Sequence, residues 1–197
     1  MYPPQHHQSS DRQKMIAVIN QYPLATLISV NNGKPLITHV PVIYNVKTGK
    51  LVGHIDKNNL QVDSLKDNKE VTLVFKGPDT YISSSIYTTE QLPTWNYIIV
   101  HIKGKASAIT KPDKVKQTLV KMTAFLEAPE NKYSLTIDNP KMEQAINYIH
   151  AFEIEITNWE GKFKLSQDKC EQDQKNAKQE LLKNNQKDIG DFLKDVY

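Results

Sequence analysis

The feature that most constrains this chain is a succession of short apolar, β-branched runs separated by turn signals. Leu24 to Val30 is one such run, and Asn31-Asn32-Gly33 follows it. Asparagine and glycine tolerate positive φ, so the triplet predicts a hairpin. Leu36 to Tyr44 is then the returning strand. Pro41 within it marks an edge or a bulge, because proline cannot donate to a ladder. Thr48-Gly49 turns the chain again into Leu51 to Ile55, and Val71 to Phe75 is a buried strand ended by Gly77-Pro78. Asn96 to Ile109 predicts two further strands around Gly104. Ala151 to Ile156 alternates, with Phe152, Ile154 and Ile156 on one face and Glu153 and Glu155 on the other.

Helical signals lie around these strands. Ser10 as N-cap with Gln13 three residues on is a capping box, Met15, Ile16, Ile19 and Tyr22 follow at helical spacing, and Pro23 stops the helix. A short helix is expected from about Leu60 to Lys66, capped by Asn58 or Asn59. Thr110-Lys111-Pro112-Asp113 starts a helix with proline in its first turn, running to about Leu126, and Asn139-Pro140 starts another reaching Tyr148. Six or so strands in hairpin succession with flanking helices fit an α+β antiparallel barrel better than a doubly wound sheet. From Ser166 onward Lys, Gln, Asp and Asn dominate, with sparse apolar positions at Leu181, Leu182, Ile189, Phe192, Leu193 and Val196. The expectation is a single domain over 1–197, with 166–197 as a polar helical appendage.

Composition narrows the function. One cysteine, Cys170, leaves no disulfide framework and no cysteine-based metal site, and no metal centre is expected. The net charge of +3, from 25 basic and 22 acidic side chains, is not that of a strongly basic nucleic-acid binder. Lys103, Lys105, Lys111, Lys114, Lys116 and Lys121 do cluster, and a solvated helix face accounts for them more economically than a DNA footprint. No G-x-S-x-G elbow, P-loop or G-x-G-x-x-G turn is present, so a serine hydrolase, an NTPase and a Rossmann enzyme have no support. The opening residues lack the charged and apolar regions of a signal peptide, and no run of about 18 apolar residues exists. A cytoplasmic protein without a membrane span is expected.

Four segments hold polar residues where strands or their exits should be apolar. Thr38-His39-Val40-Pro41 lies mid-strand, where a hydrogen-bonded or solvent-facing histidine is the plainest account. Gly53-His54-Ile55-Asp56-Lys57-Asn58-Asn59 runs from a strand into an expected helix start, where free backbone N–H groups beside a lysine make an anion site. An ordinary cap and a solvated lysine explain that segment equally well. Thr80 to Tyr87 is hydroxyl-rich, as phosphate loops and plain turns both are. Trp95-Asn96-Tyr97 opens a strand, where aromatics usually pack.

Taken in order, these segments resemble the PaiB family of FMN-binding negative transcriptional regulators. The resemblance is carried by Met1-Tyr2-Pro3-Pro4-Gln5-His6, by Thr38-His39-Val40-Pro41 and by Gly53-His54-Ile55. It continues in Val74 to Ser83, in Pro93-Thr94-Trp95-Asn96-Tyr97 with Val100-His101, and in Gly161 to Gln167. It implies a split β-barrel of the pyridoxamine-phosphate-oxidase type, paired as a homodimer with two FMN sites in the interface. By that resemblance His39 and Val40 lie along the isoalloxazine, and His54, Ile55, Lys57, Asn58 and Asn59 surround the phosphate. Trp95, Asn96, Lys164, Ser166 and Gln167 reach the cleft from the other subunit. FMN phosphate needs converging donors and cations, and its ring needs an apolar slot. Asp56, Asn59 and Ile86 depart from the family pattern, as does His7, which stands where an aromatic is usual. The alternatives are therefore an FMN-dependent oxidoreductase, a relative that has lost flavin, and a haem binder with His39, His54, His101 or His150 as axial ligand. No catalytic residue is assigned, and direct DNA binding stays open.

Overall fold

A computed structural model describes residues 4–186 of the chain. Its elements run β1 (Gln8–Ser9), α1 (Arg12–Gln21), β2 (Leu24–Asn31), β3 (Lys34–Asn45), β4 (Lys50–Asp56) and β5 (Lys69–Ile82). Then come β6 (Thr94–Ile109), α2 (Pro112–Glu127), α3 (Met142–Ala145), β7 (Ile149–Lys164) and α4 (Glu171–Asn185). The apolar positions expected at Ile189, Phe192, Leu193 and Val196 lie outside the described residues.

Among the described residues seven strands form one antiparallel sheet in the order β1-β7-β4-β3-β2-β5-β6, and β6 pairs with β7 to close it into a barrel. Alternation sorts the side chains. Leu27, Leu73, Phe75, Ile102, Phe152 and Ile154 point inward and are fully buried, each contributing about 1.5–3 kcal/mol by leaving water. α1 adds Met15, Val18 and Ile19 to that core. Its N-cap is Asp11, not Ser10: the carboxylate accepts from Gln13 N at 2.9 Å and Lys14 N at 3.2 Å. A carboxylate there meets the first-turn amides and their partial positive charge together.

The β2–β3 hairpin turns where expected, with Asn32 and Gly33 at φ of 50° and 73°. Three expectations fall. Gly77-Pro78 does not end β5, because a register shift between Lys76 and Asp79 absorbs the proline and lets the strand continue. β6 is one strand rather than two, with Gly104 at a register shift against β7. The helix expected over 60–66 is a turn followed by a single 3₁₀ turn, Val62–Ser64. The helix after Asn139-Pro140 shortens to α3, and β7 runs eight residues past Ile156 to Lys164.

The barrel is split beside Pro41. The β3–β4 ladder stops at Val42↔Gly53, so residues 34–41 of β3 pair only with β2. Gln61 closes the core there: it is buried, and its Nε2 donates to Leu36 O, Ser29 Oγ and Leu27 O at 2.9–3.3 Å.

α4 returns to the barrel and packs on β5. Its anchor is the buried Asp173, whose carboxylate accepts from Thr88 N at 2.7 Å, Thr88 Oγ1 at 2.9 Å and Thr89 Oγ1 at 3.4 Å. The Thr88 N–H above all holds this carboxyl below the ordinary range. The folded state thus takes up this proton less readily than the unfolded chain. Its contribution is complete above the unfolded value of about 3.9 and fades as pH falls through the lower folded value. Asp173→Asn is expected to melt below the wild type at pH 7, with the gap closing in acid; a gap that persists unchanged near pH 2 would show that the charge is not what fastens α4.

Candidate functional site

The strands place polar residues in two groups. The first lies at the split. His39 projects outward from β3 and bonds Thr26 Oγ1 through Nδ1 at 3.1 Å. At the start of β3 and in the loop after β4, Lys34, Lys57, Asn58 and Asn59 line an open cleft of about 520 Å³, together with Asn31 and Asn32. Asp56, an acid in this neighbourhood, is turned into its own loop and accepts from Asn58 N at 2.7 Å. Asn59 donates to Thr38 Oγ1 at 3.1 Å and accepts from Gln61 N at 2.8 Å. The backbone N–H groups that a helix start would have offered are therefore largely occupied. Lys57 N bonds Tyr148 O, Asn59 N bonds Asp56 O and Val62 N bonds Asn59 O. What the cleft offers an anion is side-chain amides and two ammonium groups, of which that of Lys57 already donates one hydrogen bond to Ile146 O at 3.2 Å.

Val40 and Ile55, expected beside a ligand, are 4% and 5% exposed with side chains in the barrel core, so only their backbones can reach the cleft. His54 faces outward from β4, opposite Ala151, and its Nδ1 is buried without a hydrogen-bond partner. Burial pushes its pKa below the ordinary value, which keeps it neutral at pH 7.

The second group lies at the far end of β6 and β7. Asn96 is buried and bonds Ser166 Oγ at 3.0 Å; Tyr87 Oη lies 3.1 Å from the same hydroxyl. Lys164 donates to Thr94 Oγ1, and with His7 and Asp168 it lines a cleft of about 320 Å³. Gln167 donates to His6 O at 3.2 Å. Trp95 is half-exposed on the outer face, held by its indole N–H donating to Asp79 Oδ1 at 2.8 Å. Burial alone would raise the Asp79 pKa, but hydrogen bonds from Lys76 and Trp95 outweigh it and hold it below the ordinary range. Lys34 and His7 were not singled out as ligand contacts from the sequence; the position of Lys34 directly after the hairpin turn was the available signal.

The two groups do not converge within one chain. Lys57 sits beside Tyr148 at the start of β7, while Lys164 ends that strand. The 16 residues of β7 amount to roughly 50 Å of extended chain. Between the two groups lies the outer face of β3, β2, β5 and β6. On it Leu24, Val30 and Ile37 are each more than 60% exposed, with Ile28, Val74 and Ile99 beside them by register.

The family model described as "Putative FMN-binding domain" matches residues 1–158. The "protease synthase and sporulation protein PAI 2" of Bacillus subtilis is 28% identical over 201 residues, covering 99% of this chain and 97% of its own length. The chain belongs to the PaiB family. Among solved structures, the FAD and haem binding protein of Mycobacterium smegmatis superposes with a TM-score of 0.66 at 17% identity, covering 85% of this chain and 78% of its own. A flavocytochrome of Azotobacter vinelandii gives 0.61 at 16% identity, over 82% and 72%. At such identities the likeness is one of fold, and the PaiB chain shares with them the split β-barrel. Of the haem-ligand candidates in this PaiB chain, His150 contacts Leu65 O, His39 bonds Thr26 and His101 lies beside Glu160, while His54 Nδ1 is buried without a partner. No helix among its described residues is long and apolar enough to cross a membrane.

Proposed function

We propose that this PaiB-family chain is a cytoplasmic homodimeric flavoprotein that holds FMN between subunits, and that it acts as a regulator through the flavin rather than by gripping DNA. The observation that carries this reading is the separation of the two polar groups by an outer sheet face on which Leu24, Val30 and Ile37 stand exposed. A large exposed apolar face marks an interface. A two-fold partner laid on it brings the Lys164 end of one chain toward the Lys57 end of the other.

The residues at the split fit the group by the chemistry of their donors. Lys34 and Lys57 offer charge-assisted hydrogen bonds to a phosphate, with Asn58 beside them. His39, fixed by Thr26, offers a polar edge next to the apolar strip that would receive a planar ring. Bound there, FMN supplies hydride or electron transfer. The chain's part is to bind, orient and shield it. Charge pairing supports the reading of regulation without DNA contact. Within the lysine run Lys116 pairs with Glu143 and Lys103 with Glu160, which leaves less of it to meet phosphates. We read 1–197 as one domain, with α4 fastened to the barrel through Asp173.

Flavin uptake, followed by absorbance and fluorescence, tests the site. Lys57→Glu is expected to weaken FMN binding at least tenfold, since it replaces a phosphate-facing cation with an acid beside Asp56. Unchanged affinity would remove Lys57 from the site.

A further inference from the structure

The small cleft at the end of β7 contains a constellation that neither the flavin reading nor the sequence assigns. His6 and His7 lie on the 3₁₀ turn Gln5–His7, and Asp168 on the turn that follows β7. One ring nitrogen from each histidine and one carboxylate oxygen all lie within 4.8 Å of one another. Independently, His7 is only 8% exposed, lines this cleft with Asp168, and has an Nδ1 with no hydrogen-bond partner. Buried polar atoms without partners are rare in folded proteins, and each calls for a reason.

We propose that His6, His7 and Asp168 form a binding site for a divalent transition ion of the zinc class, with further coordination positions open to solvent. Donor chemistry selects the ion. Two imidazoles and one carboxylate suit borderline metals, whereas calcium and magnesium demand six or more oxygen ligands or waters. Zinc binds such groups at about 2.0–2.2 Å, which sets tetrahedral ligand atoms roughly 3.4 Å apart. Modest side-chain rotations from the observed spacing reach that geometry.

The backbone around the site is already set. Gln167 ties its two walls together, donating to His6 O at 3.2 Å and accepting from Leu165 N at 2.7 Å. His7 N bonds Pro4 O at 2.9 Å, and Lys169 N bonds Ser166 O at 3.1 Å. Lys169 Nζ stands 3.0 Å from Asp168 Oδ2 and neutralises the carboxylate in the metal-free protein. A weakly held hard cation cannot displace that ammonium; an ion that also gains two nitrogen ligands can.

The test is zinc chloride titration of the full-length, chelator-treated protein by calorimetry, with magnesium chloride in parallel. The expected result is one zinc per chain with a dissociation constant of about 10 μM or tighter, and no magnesium binding. His6 is exposed, so His6→Ala leaves the fold intact; it and Asp168→Asn should each weaken zinc at least tenfold. Loss of outer-shell partners alone costs roughly 10–100-fold, and a lost ligand costs no less. Absence of zinc saturation below roughly 100 μM, equal binding of magnesium, or unchanged zinc affinity in either variant would overturn the site. Because the readout needs no flavin, it stands or falls separately from the FMN reading.

Discussion

The wild type is expected to sediment as the proposed dimer, and the double variant Leu24→Asp/Ile37→Asp at the same concentration as a monomer that has lost tight flavin uptake. Both side chains stand on the outer face, 62% and 61% exposed in the single chain. Burying an unpaired carboxylate in an apolar contact costs several kcal/mol. In an isologous interface each substitution occurs twice, so the cost doubles. At about 1.4 kcal/mol per tenfold, even a conservative total weakens association by more than about a thousandfold. Neither residue belongs to the barrel core, so the monomer should retain the wild-type circular dichroism. A variant that remains dimeric would falsify the assignment of this face.

Gly104→Val should lower the melting temperature by roughly 6–12 °C. A Cβ built at Gly104 lies 2.4 Å from Ile154 Cγ2 and 2.6 Å from Glu155 O. The second atom is backbone of the neighbouring strand, so relief requires β6 and β7 to part where their ladder closes the barrel. Overpacking of this kind costs about 3 kcal/mol or slightly more, and in a chain of this size each kcal/mol moves the midpoint by about 2–4 °C. Gly161 is the internal comparison. A Cβ there meets Met15 Sδ at 3.0 Å and Phe163 Cε2 at 3.1 Å, side-chain atoms that need give only a few tenths of an ångström, and no backbone of a neighbouring strand lies closer. Gly161→Ala should therefore shift the midpoint by less than about 3 °C. Equal shifts in the two variants would mean that close strand approach is not what Gly104 serves.

Local signals were legible where local physics decides. Asn32 and Gly33 announced their hairpin because few other residues take positive φ cheaply, and the Phe152/Ile154 alternation announced its inward face. The continuation of β5 through Gly77-Pro78 was not legible, because it depends on β6 running alongside to absorb a register shift. The helix expected after Asn58 failed for a similar reason. Gln61 is drawn into the barrel end by the carbonyls of Leu27 and Leu36, and that tertiary demand overrides the local preference. Of the expected ligand contacts, Lys57, Asn58 and Asn59 do line one cleft, yet Asn96 and Ser166 spend their polar atoms on each other. Pairing between Asn96 and Ser166, 70 positions apart, leaves no mark on either local sequence.

The length of β7 has a consequence for inheritance. β7 spans the distance between the two halves of the proposed binding machinery, and in the proposed dimer each half serves a different pocket of the pair. A chain damaged only at its Lys57 end and a chain damaged only at its Lys164 end can therefore join into a mixed dimer. One pocket of that dimer inherits both lesions, and the other inherits neither. Two individually inactive alleles would then restore about a quarter of the pockets between them, since half of randomly paired dimers are mixed.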